Sequence, residues 1–258
     1  MKKLTLRISP CPNDTFAFDA IINGRIDTCG FDFEVAYSDI EELNRAALNG
    51  TPDICKISTA LLPAIYDRYE LLDSGSALGR GNGQLLVRRK GDVSPIRTVA
   101  IPGIYTTANA MLQRYFPDVE GTPMLFSEIA AAVERGDFDA GVLIHEGRFV
   151  YGRRNLELVA DLGALWEHET GLPLPLGAIV IRRDLPTETK RTFEGLLAES
   201  VRFAFAHPDL SRTYIKAHAQ ELEDDVIDSH IALFVNEFTV SLGDEGRLAV
   251  AKLTGVEL

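Results

Sequence analysis

The sequence has little cysteine, and its three thiols, Cys11, Cys29 and Cys55, form no C-x-x-C pair. An odd count without paired spacing signals neither a disulfide framework nor a zinc site. It reads as reduced thiols in a cytoplasmic protein. No apolar run approaches the ~20 residues of a membrane span. Met1-Lys2-Lys3 opens as a secretory signal does, but the alternating Leu4-Thr5-Leu6-Arg7-Ile8 that follows has no continuous apolar stretch. Positive charge is also scarce: 26 basic against 38 acidic residues give a net charge of −12. With no basic run to neutralise phosphates, nucleic acid is excluded as a partner, and an anionic membrane surface with it. A small anionic ligand stays allowed, because the field inside a cleft is local.

Two further motifs fall short. Gly79-Arg80-Gly81-Asn82-Gly83 leads into a strand at 84–89 and lacks the Gly-Lys-Ser/Thr ending of a phosphate loop. Such loops need a helix N-terminus behind them, so this one reads as a chain crossing or a tight turn. Trp166-Glu167-His168-Glu169-Thr170 is half of a zinc-protease helix without its second histidine. His207, His218 and His230 are scattered over a helical tail, where exposed or partly buried helix faces are expected. Neither a metal nor a cofactor is expected. The sequence carries no signal for oligomeric state.

What is present is a unit used twice. Residues 42–58 and 128–146 each run as a helical stretch stopped by glycine, then two residues, an aspartate and a short apolar run. Gly50 and Gly136 fit the left-handed position that ends a helix. The first apolar run ends at Lys56 and Ser58, the second at His145. In open α/β sheets, ligands sit beyond the carboxyl ends of strands.

The surrounding periodicity predicts strands over 4–8, 31–36, 54–57, 84–89, 98–101, 123–126, 140–144, 157–161 and 178–182. Helices are predicted over 15–23, 42–49, 59–69, 107–116, 128–135, 187–206, 211–219, 224–237 and 244–253. Alternation of this kind indicates an α/β protein with mainly parallel sheets. The restart near Thr98 and the stiff Leu172-Pro173-Leu174-Pro175-Leu176-Gly177 read as two crossings between lobes. Lobe one is expected over 1–93 and 177–258, with a helical C-terminal tail, and lobe two over 94–176, with a ligand cleft between them.

Several residues there can carry chemistry. His145 has a side chain that exchanges protons near neutral pH; the plainer reading is a packed imidazole bonded to nearby backbone. Thr106 and Thr107 open a helix after a Pro-Gly turn, where free amides and the positive dipole end suit a carboxylate, or one threonine caps its own helix. Lys56 and Ser58 straddle Ile57. A lysine in an apolar strand is locally inconsistent, as functional sites often are, although it can also reach solvent from an edge. Cys11 lies between two prolines, where the turn backbone with Ser9 or Asn13 can meet a ligand.

Ser9-Pro10-Cys11-Pro12-Asn13-Asp14-Thr15-Phe16 resembles the opening of the 1,4-dihydroxy-6-naphthoate synthase family of the futalosine route to menaquinone. The likeness continues through Lys56-Ile57-Ser58, Ala77-Leu78-Gly79-Arg80-Gly81, Pro102-Gly103 with Thr106-Thr107, and Ile144-His145-Glu146. It extends to Thr170-Gly171-Leu172-Pro173-Leu174-Pro175-Leu176-Gly177-Ala178 and His218-Ala219-Gln220-Glu221-Leu222, and so covers nearly the whole chain. The resemblance implies a two-lobed fold like that of type II periplasmic solute-binding proteins. It implies a cytoplasmic lyase that converts cyclic dehypoxanthine futalosine, a small anionic substrate, to 1,4-dihydroxy-6-naphthoate. His145 matches the family's catalytic base. Lys56, Ile57 and Ser58, with Thr106, Thr107 and Ala108, match its substrate-contacting segments. Two other functions share this architecture: a cytoplasmic solute-binding protein and the chorismate dehydratase of the same pathway. The Ser9–Phe16 opening points away from the latter.

Overall fold

Leu4, Leu6 and Ile8 are buried while Thr5 and Arg7 between them are half-buried. This period of two makes Lys2–Ile8 the strand β1. Helix α1 (Pro12–Ile22) begins on Pro12, whose missing N–H is no loss in a first turn. Of its 11 residues, 10 are buried, so its polar side chains must find partners inside the protein. Strand β2 (Phe31–Tyr37) follows. Helix α2 (Ile40–Leu48) is opened by Asp39, whose carboxylate accepts the N–H groups of Glu41 and Glu42 at 2.8 and 3.1 Å. Strand β3 (Ile54–Ser58) runs into a 3-10 turn (Thr59–Leu61), helix α3 (Leu62–Ile65) and strands β4 (Tyr69–Leu71) and β5 (Ala77–Gly79). The helix expected to reach residue 69 is therefore short. Tyr69 instead begins a strand and donates its hydroxyl to the Pro52 carbonyl at 2.7 Å.

The chain continues through β6 (Leu85–Arg89), β7 (Thr98–Ile101), α4 (Thr107–Tyr115), β8 (Glu120–Pro123), α5 (Phe126–Arg135) and β9 (Ala140–Leu143). Then come α6 (Gly147–Val150), a 3-10 turn (Tyr151–Arg153), β10 (Leu156–Asp161) and α7 (Leu162–Thr170). These strands form one sheet in the order β10-β6-β9-β7-β8. Strand β7 lies parallel to β8 and β9, whereas β6 is antiparallel to β9 and β10. Leu85, Val87, Ala100, Ile129, Val133 and Leu143 share its core. The strand expected at 123–126 sits three residues earlier because Phe126 already belongs to α5. Helix α7 has no counterpart in the sequence reading.

Strand β11 (Leu174–Arg182) returns the chain to the first sheet, and α8 (Thr187–Ala206), α9 (Pro208–His218), α10 (Asp224–Phe234), α11 (Glu237–Val240) and α12 (Gly243–Thr254) complete it. The order is β2-β1-β3-β11-β4, with β5 paired to β11. Strand β1 is parallel to β2 and β3, while β11 is antiparallel to β3 and β4. Both sheets are thus mixed rather than mainly parallel. The core of the first joins Leu4, Leu6 and Ile8 to Phe18 of α1 and to Phe193, Leu197 and Val201 of α8.

This is a computed structural model, and it describes residues 2–145, 147–219 and 223–258. Two compact units result: Met1–Gly79 with Pro175–Leu258, and Arg80–Leu174. The sequence reading put residues 80–93 with the first lobe, but hydrogen bonding of β6 to β9 and β10 places that strand in the second sheet. Among the described residues no helix is long and apolar enough to cross a membrane.

Candidate active site

The repeated unit does the same structural job in both sheets. Asp53, entering β3, accepts the N–H and hydroxyl of Thr5 on β1 at 2.9 and 3.0 Å, and its own N–H donates to Thr5 Oγ1 at 2.8 Å. Asp139, entering β9, accepts the N–H and hydroxyl of Thr98 on β7 at 2.8 and 3.0 Å, and the Arg97 N–H at 2.9 Å. Those backbone donors, Thr98 first and Arg97 next, hold the Asp139 carboxyl below the usual carboxylate range. Gly50 and Gly136 have φ of +68° and +83°, the left-handed geometry expected for helix ends. Each aspartate pins the start of a strand whose far end carries the candidate chemistry.

In the first unit that far end is a buried polar network. Lys56, only 5% exposed, donates Nζ to Asp14 Oδ1 at 2.8 Å. The same oxygen accepts Asn13 Nδ2 at 2.8 Å. Asp14 Oδ2 accepts the Ser9 N–H at 3.1 Å and the Ser9 hydroxyl at 2.7 Å. Both oxygens of the carboxylate are engaged, as burial of such a group demands. Ser58, two residues on, is held by Asn44 of α2: its N–H donates to Asn44 Oδ1 at 2.8 Å and its Oγ accepts Asn44 Nδ2 at 3.0 Å. Gly177, opposite Ser58 on β11, makes room for the lysine, since a Cβ there would lie 2.8 Å from Lys56 Cε. Ile57 faces the packed interior with no exposure. The Cys11 N–H donates to Ser9 Oγ at 3.3 Å. Burial pushes the neighbouring Cys55 thiol up to about 12, which rules it out as a nucleophile at neutral pH.

In the second unit, Thr106 caps α4: its Oγ1 accepts the Asn109 N–H at 3.2 Å and donates to the Gly103 carbonyl at 2.8 Å. That resolves which threonine caps. Thr107 and Ala108 form the buried first turn. His145 follows β9 in the turn before α6, half-buried, its ring edge against Phe126 at a centroid distance of 5.4 Å. Its backbone is left-handed, with φ of +51°. Arg148 of α6 donates to the Gly83 carbonyl and to Asp161 Oδ2, the latter at 3.3 Å, and Asp161 in turn caps α7. The glycine-rich loop is explained by one contact. A Cβ on Gly83 would lie 2.2 Å from Gly163 Cα, so two backbones touch where α7 begins.

Three of the residues singled out in the sequence, Ser9, Asn13 and Lys56, are gathered by the structure around the Asp14 carboxylate. Asp14 does not cap α1: the cap position is Cys11, with no side-chain cap, and Asp14 lies in the first helical turn. The signal was present as two carboxylates, Asp14 and Asp19, in a helix that is buried along nearly its whole length. Asn44 and His230 were missed altogether. His230, expected on an exposed or partly buried face, is 1% exposed and meets Asn13. Glu146 and residues 220–222, quoted for the family resemblance, lie outside the described residues. Among the described residues no group of three His, Cys, Asp or Glu could hold a metal ion.

Comparison with known proteins adds to this geometry. The sequence profile of the family described as menaquinone biosynthesis matches residues 4–256. The chain is 45% identical over 255 residues to the 1,4-dihydroxy-6-naphthoate synthase of Thermus thermophilus, covering 98% of this chain and 93% of that protein. It is 43% identical over 257 residues to the enzyme of the same name from Streptomyces coelicolor, covering 97% and 91%. A crystal structure of an Archaeoglobus fulgidus protein superposes with a TM-score of 0.93 at 34% identity, covering 97% of this chain and 95% of that one. A Candida albicans protein described as having the generic periplasmic binding protein fold matches with a TM-score of 0.76 at 10% identity, covering 98% and 89%. That last likeness shows fold alone.

Proposed function

We propose a specific reaction on the premise that this chain, an enzyme, belongs to the 1,4-dihydroxy-6-naphthoate synthase family of menaquinone biosynthesis. The reaction is a carbon–carbon lyase step that takes cyclic dehypoxanthine futalosine to 1,4-dihydroxy-6-naphthoate and releases a small sugar-derived fragment.

His145 is the general base. It removes a proton from a substrate hydroxyl, and the resulting alkoxide collapses to a carbonyl as the adjacent carbon–carbon bond breaks in retro-aldol fashion. Aromatisation of the product draws the sequence forward. General-base assistance supplies about 10²–10⁴-fold; orientation and exclusion of water supply the remainder. The observation that carries this reading is the position of His145, half-buried at the carboxyl end of β9.

Charge assigns the remaining groups. Lys56 is already matched by Asp14 inside the protein, so a second anion there would lack a counter-charge. A substrate hydroxyl suits Lys56 and Ser58 better. The positive dipole end of α4, at Thr107 and Ala108, suits the ring carboxylate. Ser9, Cys11 and Asn13 contribute the surrounding backbone and side-chain dipoles.

The test is direct. Purified enzyme incubated with cyclic dehypoxanthine futalosine is expected to release the naphthoate, detected by mass spectrometry. Recovery of intact substrate after long incubation would overturn the assignment.

A further inference from the structure

The buried network of the first unit continues one step beyond Asp14. Asn13 lies between that carboxylate and His230 of α10, with Asn13 Oδ1 3.0 Å from His230 Nε2. The polarity of this chain can be worked out from its fixed end. Asp14 Oδ1 accepts from Lys56 and Oδ2 accepts from the Ser9 N–H and hydroxyl. With both oxygens accepting, the Asn13 atom 2.8 Å from Asp14 has to be the NH₂ donor. The Asn13 carbonyl oxygen then faces the imidazole, and an oxygen there can only accept. His230 therefore carries a proton on Nε2 and donates it.

We propose that His230 is a positioning residue: by donating from Nε2 it fixes the Asn13 amide, which holds the Asp14 carboxylate in the orientation that seats Lys56. The imidazole is 1% exposed and lies tilted against Phe234, ring centroids 4.6 Å apart, so it does not itself meet substrate. Asn13 cannot turn over without setting its NH₂ against a donor on one side and its oxygen against a carboxylate on the other. Asp14 sets which way the amide points, and the His230 donor holds it there, steadying the carboxylate that seats the Lys56 ammonium. This contact joins the helical tail to the Lys56 network.

This inference rests on the functional reading above for its kinetic consequence, but not for its chemistry. Long-range ¹⁵N–¹H correlation spectra of the labelled enzyme, with the His230 signal identified by its loss in His230→Phe, should show the proton on Nε2. A bare Nε2 would reverse the amide and end the proposal. In kinetics with the futalosine substrate, His230→Phe keeps the ring and removes the donor, and should lower kcat/KM by about tenfold, the effect of one hydrogen bond. His230→Gln, which restores an N–H at similar reach, should recover most of the loss. In an Asn13→Ala background His230→Phe should cost nothing further, whereas multiplied losses would mean that His230 acts apart from Asn13 and would overturn the proposal. If the unaltered enzyme has no turnover, the functional reading fails, while the spectrum still decides the polarity of the chain.

Discussion

The two units share a frame and differ at one end of it. In each, a helix stops on a left-handed glycine, and an aspartate clamps a threonine of the sheet's central parallel strand. The strand then runs to its carboxyl end. In the first unit that end is Lys56 and Ser58, buried and matched by Asp14 and Asn44. In the second it is His145, half-buried and held in a strained backbone turn. A satisfied network is rigid and suited to holding a substrate in register. An imidazole in a turn can take and return a proton. On the proposed reading the same supporting device carries two different kinds of work, with role decided by the two or three residues at the strand end and not by the frame.

The comparison breaks most sharply at His145. Replacing it with alanine is expected to reduce kcat by about 10²–10⁴-fold with little change in thermal unfolding. Near-normal turnover of a folded variant would remove the difference between the two ends. Lys56→Met should act the other way, as a stability defect. It leaves the Asp14 carboxylate buried without its cation, and loss of one partner from a buried pair costs about 3–5 kcal/mol, measurable by urea unfolding. If the Lys56 variant unfolds like the unaltered protein, its network is not the rigid element described.

The shared frame is tested by Asp53→Asn and Asp139→Asn. Each loses charge-assisted hydrogen bonds and should cost roughly 1–3 kcal/mol at pH 7. For Asp139 the pH dependence has a definite sign. Its carboxyl titrates lower when folded than when unfolded, so its contribution is complete above the ordinary value of about 3.9. It disappears as pH falls through the lower, folded value. The gap between Asp139→Asn and the unaltered protein should therefore narrow in acid, and a gap that widens would contradict the clamp. The smallest effect is expected from Thr106→Val, which removes the α4 cap for about 1 kcal/mol, read as a small drop in unfolding midpoint.

Much of this was visible in the residues alone. Gly50 and Gly136 announced helix ends, and the period of two at Leu4, Leu6 and Ile8 announced β1. Lys56 stood out because an apolar strand has no use for an ammonium. Strand direction was not visible: hydrophobic alternation reads the same both ways, which is why the antiparallel β6 and β11 escaped notice. Prolines at 173 and 175 suggested a stiff crossing ahead of a strand at 178–182, whereas β11 already begins at Leu174. Asp14 and His230 escaped for another reason. Their partners are 42 and 217 residues away in sequence, and no local pattern reports a contact of that span. Asp14 takes its cation from a strand that arrives later in the chain.

The backbone at His145 has a consequence for lineages that abandon the reaction. A side chain with a Cβ at φ of +51° costs about 1–2 kcal/mol relative to glycine, and asparagine tolerates it better than most. With His145 as the proposed base, selection for turnover holds histidine in place against that gradient. Once such selection relaxes, glycine or asparagine should accumulate at this position, leaving a sturdier descendant that retains its ligand but no longer transforms it.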